Sequence, residues 1–148
     1  MLDSYNFIAP FYARLAKLVF GNTLHQIQLA SINTLPLEGS LLLLGGGDGS
    51  ILPALYAQAP LLNIHYVEAS STMIGLAKKQ APSTQNITYY HTNQIPDDVA
   101  HLDAIYAAFF FDLFSETDIE LWILQWQQKC SAQSTWHITD FDAAYLQN

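Results

Sequence analysis

Cysteine is almost absent from the sequence: Cys130 stands alone. A single thiol closes no internal disulfide and builds no cysteine-rich metal centre. This excludes a disulfide-framed scaffold and leaves a reducing, cytoplasmic setting as the expectation. Positive charge is equally scarce. Arg14, Lys17, Lys78, Lys79 and Lys129 stand against 13 acidic residues, for a formal net charge of −8. So small and scattered a basic set does not track a row of phosphates, which argues against nucleic-acid binding. Long apolar runs are missing as well. The longest covers the eight residues 104–111, where a membrane-spanning helix needs about 20. The opening Met1-Leu2-Asp3-Ser4 has no basic segment leading into an apolar one, so no export signal is expected. His25, His65, His91 and His101 have no ligand spacing, and no metal site is expected.

What remains is a chain rich in core-forming residues. Of its 148 residues 51% are hydrophobic and only 12% charged. That suffices for one domain with a sizeable core and is far from a disordered composition. No repeat or low-complexity linker divides it.

The pattern of apolar residues sets the organisation. Residues 4–35 read as helical, with Ile8, Phe11, Tyr12, Leu15, Leu18 and Val19 at the spacing of one helix face. Gly21-Asn22 is a break, and residues 23–34 read as a second helix. Leu41-Leu42-Leu43-Leu44 is a short, wholly apolar run, as expected of a strand buried on both faces. A glycine loop follows at once. Ser50 is then the expected N-cap of a helix that tolerates Pro53 in its first turn. Strands are expected at 63–67, 87–91, 104–110 and 135–139, and helices at 71–80 and 116–129. The alternation predicts an α/β fold: a Rossmann-like, doubly wound parallel sheet of about five strands, order 3-2-1-4-5, with helices on both faces. It divides into an N-terminal helical segment, residues 1–35, and a Rossmann-like domain, residues 36–148. Ligands in such sheets bind beyond the carboxyl ends of the strands, where the strand order reverses.

The central motif sits at such an end: Gly45-Gly46-Gly47-Asp48-Gly49. Glycines allow a tight strand-to-helix turn and close approach of a ligand to the backbone, and the following helix offers free N–H groups. A glycine-rich turn with no ligand is the competing reading. Glu68, closing the second strand, favours the nucleotide site, because a carboxylate there accepts hydrogen bonds from both hydroxyls of a ribose.

Gly45-x-Gly47-x-Gly49 after an apolar strand resembles the first motif of the class I S-adenosylmethionine-dependent methyltransferases. Val67-Glu68-Ala69-Ser70-Ser71-Thr72-Met73-Ile74 resembles their acidic second motif. The resemblance covers most of the chain and implies S-adenosylmethionine (SAM) as cofactor. It places Gly45, Gly46, Gly47, Asp48, Gly49, Glu68, Ala69, Met73, Asn93 and Gln94 at the cofactor, with Glu68 on the ribose and Met73 on the adenine. Helix core is the competing role for Met73. Asn93 stands where the family often has an aspartate, and its amide offers both a donor and an acceptor to a base edge. The N-terminal segment around Tyr5-Asn6-Phe7-Ile8-Ala9-Pro10-Phe11-Tyr12 is similar to the lid of the branch that methylates quinones and small molecules, with Tyr5 and Tyr12 closing over the cofactor.

The implied activity is methyl transfer to a small hydrophobic acceptor. Asp112 is the weak candidate for a general base and His137 a weaker one. Phe109-Phe110-Phe111, at a strand end, is the expected acceptor-pocket lining. Leu43 stands where many members carry an acid, and Asp48 where a small hydroxyl residue is common. The family sheet usually has seven strands, whereas this sequence stops shortly after the fifth. That implies lack of the last two strands and an uncovered sheet edge open to self-association. Two other functions fit the same residues. One is a non-catalytic module that keeps the fold. The other is a nicotinamide-dinucleotide oxidoreductase, for which Ser50 is an imperfect match to G-x-G-x-x-G.

Overall fold

A computed structural model of the chain describes residues 22–83, 86–111 and 114–140. Helix α1, Thr23–Ile32, leads through a short turn into strand β1, Glu38–Leu44. There follow α2, Leu52–Gln58; β2, Leu61–Glu68; α3, Ser71–Gln80; β3, Asn86–His91; β4, Leu102–Ala108; α4, Glu116–Gln127; and β5, Cys130–Thr139. The five strands form one sheet in the order β3-β2-β1-β4-β5, and every neighbouring pair is parallel. The expected fold class and strand order are therefore those observed.

The reason lies in the side-chain alternation of the central strands. Leu41 and Leu43 of β1, Ile64 and Tyr66 of β2, and Ala104 and Tyr106 of β4 pack on one face, against Ile32, Leu35, Leu52, Leu55 and Ala77 from the α1, α2 and α3 regions. Leu42, Leu44, Val67, Ile105 and Ala107 face the other way, onto Val99, Phe110 and Trp126. All four leucines 41–44 are essentially inaccessible, so β1 is the axis of both cores. Apolar burial on this scale stabilises by about 25 cal/mol per Å² removed from water.

α1 is fastened to the sheet by polar contacts as well. Tyr106 Oη lies 2.8 Å from Ser31 Oγ, and Gln58 Nε2 donates to the Ile32 carbonyl at 2.7 Å.

Two local features differ from the sequence reading. Ser50 does not cap α2: the helix starts at Leu52 with no side-chain cap, and Asp48 Oδ1 instead accepts the Ser50 N–H at 3.0 Å. β5 begins five residues before the expected 135, at Cys130, because its first residue pairs with Leu102. The register then slips, so that Ala104 meets Thr135. The uncharged, mostly polar segment Cys130-Ser131-Ala132-Gln133-Ser134 carries no apolar alternation to announce a strand.

Candidate functional site

β1 ends at the glycine loop. Gly45 N–H donates to the Val67 carbonyl at 2.9 Å, which carries the pairing with β2 one residue past Leu44. The chain then turns sharply. Gly45, Gly47 and Gly49 all have positive φ, at 60°, 63° and 76°, a region that side chains disfavour. Most of the glycine requirement is internal. A Cβ on Gly49 would lie 2.6 Å from the Ala77 backbone of α3, and one on Gly45 would lie 2.6 Å from the Phe110 ring. A Cβ on Gly46 would lie 2.1 Å from Cζ of the Tyr66 ring. Only Gly47 faces open space, so it is the loop position a ligand can approach.

Glu68, the last residue of β2, reaches this position. Its Oε2 accepts the Gly47 N–H at 2.9 Å, and its Oε1 accepts the Ser70 N–H at 2.9 Å. Each carboxylate oxygen keeps a further lone pair for a ligand. Ser70, itself buried, caps α3 by accepting the Met73 N–H at 3.3 Å. Met73 is buried in the first turn of that helix, and Ala69 is half-buried.

The segment after β3 is drawn to the same place. Thr92 N–H donates to the Glu68 carbonyl at 3.1 Å, His91 Nε2 lies 3.0 Å from the Ala69 carbonyl, and Gln94 N–H donates to Thr92 Oγ1 at 3.1 Å. Asn93 is half-buried and Gln94 exposed. The glycine loop, the Glu68 turn and the 92–94 segment, which are far apart in sequence, therefore form one rim at the carboxyl ends of β1, β2 and β3. Asp48 belongs to the loop, but it is exposed and caps its own backbone. Tyr5, Tyr12 and Asp112 lie outside the described residues.

Phe110 is not in a cleft. It sits at the centre of an aromatic cluster, 5.7 Å from Trp122, 5.5 Å from Phe111 and 5.1 Å from Phe114 between ring centroids. The cause is Phe109, whose φ of 54° breaks the strand alternation. Ala108 and Phe109 both pack toward the α1–α3 core, and Phe110 swings back into the opposite one. Phe109 stays half-buried at the tip of β4, with its N–H donated to the Thr139 carbonyl at 2.7 Å.

His137 is committed elsewhere. Nδ1 lies 2.8 Å from Thr34 Oγ1 and Nε2 lies 2.9 Å from Thr135 Oγ1, tying β5 to the end of α1. Burial lowers its pKa below the ordinary 6.5, as it does for His65, where Asp98 pulls weakly the other way. The unfolded chain thus takes up these protons first, and stability falls as the pH drops below 6.5. Urea unfolding at pH 7 and pH 5 should show this loss, and His137→Gln should reduce it.

Sequence reasoning missed Lys129. Its ammonium donates to three backbone carbonyls, those of Pro96 at 3.3 Å, Asp97 at 2.9 Å and Val99 at 3.0 Å. This knots the β3–β4 link to the end of α4. Lys129→Met removes all three bonds, and each bond to a charged donor contributes about 1.5–3 kcal/mol. Amide exchange across 96–102 should accelerate at least tenfold. Exchange unchanged in that segment would contradict the knot.

Among the described residues, no cluster of three or more His, Cys, Asp or Glu side chains is placed to hold a metal, and no helix is long and apolar enough to cross a membrane. Two open depressions, one lined by Asn63, His65 and Thr88 and one by Glu38, Asp103 and Gln133, lie toward the amino ends of the strands. Neither touches the glycine loop.

No protein-family model and no curated protein sequence matches the chain. Solved structures do. The plantazolicin methyltransferase BpumL in complex with SAH superposes with a TM-score of 0.72 at 22% identity, over 95% of this chain and 57% of that one. A complex of DhpI with SAM and HEP gives 0.73 at 17% identity, over 96% and 65%. Precorrin-6y C5,15-methyltransferase from Geobacter metallireducens GS-15 gives 0.61 at 16% identity, over 82% and 63%. The chain has the methyltransferase Rossmann-like fold. At these identities the likeness is one of fold, and the chain spans about three-fifths of the length of these structures.

Proposed function

We propose that the chain binds SAM at the glycine loop and transfers its methyl group to a small, hydrophobic acceptor. The observation that carries this reading is the pairing of Glu68 with Gly47. A carboxylate at the tip of β2 stands beside the one loop glycine that faces open space. Several structures of the same fold hold SAM or its demethylated product S-adenosylhomocysteine (SAH). The donor set suits a sulfonium nucleoside: Glu68 accepts from the ribose hydroxyls, the bare backbone at Gly47 admits the chain carrying sulfur, and Met73, Asn93 and Gln94 border the base. The net charge of −8 favours a cationic ligand.

The bound cofactor supplies an activated methyl group and its own leaving group. The chain's part is alignment and exclusion of water. Phe109, held at positive φ on the tip of β4, supports an aromatic wall on the acceptor side, since strained backbone gathers at such sites. Asp112 is assigned as the base for acceptors that must lose a proton, and Tyr5 and Tyr12 of a lid in residues 1–35 cover the cofactor held by residues 36–148. Among the described residues β5 is an edge strand, free of charge and proline along its length, and it is the assigned surface for self-association.

Calorimetric titration with SAH, and with NAD as control, tests the reading. Saturable binding of SAH and none of NAD is expected, followed by transfer of labelled methyl from SAM to small aromatic acceptors. No binding of SAH overturns cofactor use. Binding without any transfer makes the chain a non-catalytic module.

A further inference from the structure

We infer that Tyr66 is a positioning residue that sets the shape of the glycine loop from below, and that Gly46 is glycine because of it. The functional half of this inference rests on the proposed cofactor reading. Tyr66 is fully buried in β2, between Leu43 and Tyr89 in the sheet register. Its ring runs beneath the loop and packs on Tyr89, with centroids 5.2 Å apart. Its hydroxyl emerges under Gly47 and donates to the Gly47 carbonyl at 2.9 Å.

Two residues later on the same face, Glu68 accepts the Gly47 N–H. The N–H and the carbonyl of Gly47 are thus held by two side chains of one strand, at the position that faces open space. Burial raises the pKa of the Tyr66 hydroxyl, with the carboxylates of Glu68 and Asp48 adding to it and the Gly49 backbone opposing. The group therefore remains a protonated donor.

Gly46 supplies the second observation. Its φ is not positive, so its backbone conformation is open to any residue. The three atoms nearest a Cβ there all belong to the Tyr66 ring. The run of three glycines thus combines turn requirements at Gly45 and Gly47 with a steric match between Gly46 and Tyr66. A wide aromatic floor and a bare loop residue above it are one packing unit, and that unit aims the Gly47 peptide.

The test uses the full chain. Tyr66→Phe keeps the ring and removes the donor. Affinity for SAH should fall about fivefold, the effect of one neutral hydrogen bond, and exchange of the amides at 47–49 should quicken while the thermal midpoint moves little. Wild-type affinity together with wild-type exchange overturns the inference. A drop in thermal midpoint with unchanged affinity reduces Tyr66 to a core residue and overturns it as well. Gly46→Ala should be strongly destabilising beside Tyr66 and much better tolerated with Tyr66→Leu, which lacks the outer ring atoms. Equal cost in both backgrounds overturns the packing unit. Should the wild-type chain bind no SAH, the cofactor reading fails on its own, and the exchange and Gly46 experiments still decide the role of Tyr66.

Discussion

Replacing Glu68 by alanine is expected to weaken SAH binding by at least about 100-fold, the largest functional effect of any single change in the described residues. Two losses combine. The first is the ligand's: two ribose hydroxyls lose a charged acceptor, and hydrogen bonds to a charged group contribute about 1.5–3 kcal/mol each. At 1.4 kcal/mol per decade, even the lower figure for both gives about two orders of magnitude. The second is the chain's own, since the carboxylate also receives the N–H groups of Gly47 and Ser70. Without it the loop and the turn that starts α3 lose their common anchor. Glu68→Gln should fall between alanine and wild type, at about tenfold, because its amide keeps one acceptor oxygen and turns a donor toward a second N–H. Calorimetry on folded variants measures both. An alanine variant that binds as the wild type does would remove Glu68 from the site.

Phe110→Ala should act on stability. The residue is 8% exposed and touches the rings of Phe111, Phe114 and Trp122, while its edge closes the space under Gly45. Truncating a buried phenylalanine costs about 3–5 kcal/mol through lost transfer energy and the cavity left behind. Here the cavity opens directly beneath the tip of β1. The urea midpoint should fall accordingly, and Phe110→Leu should lose about half as much. A loss below about 1 kcal/mol would place Phe110 at the surface, as expected of a pocket lining.

The contrast at Phe110 shows what the sequence made legible. The leucine run of β1, the alternation of strands and helices and the strand order follow from hydrophobic period and chain connectivity, which act locally. The place of Glu68 was legible, a carboxylate closing a strand beside a glycine turn. Phe110 was misread because a positive φ at Phe109 reverses the inward–outward alternation, and no residue type announces a non-glycine in that conformation. The glycines were read as serving a tight turn and the close approach of a ligand; the steric partners of Gly45, Gly46 and Gly49, namely Phe110, Tyr66 and Ala77, were not foreseen. Those partners come from other strands and helices, so only the folded chain brings them together. Lys129 was hidden for the same reason: its acceptors lie about 30 residues back along the chain. Capping, by contrast, is a short-range contact: Ser115 caps α4 by accepting the Asp118 N–H three residues ahead.

A crystal of the chain soaked in SAH tests the central claim most directly. Both ribose hydroxyls should lie within hydrogen-bonding distance of the Glu68 carboxylate, with the amino-acid tail of the ligand passing over Gly47. Electron density for the nucleoside elsewhere, or a Glu68 carboxylate that still holds only its two backbone partners beside a bound ligand, would contradict the account.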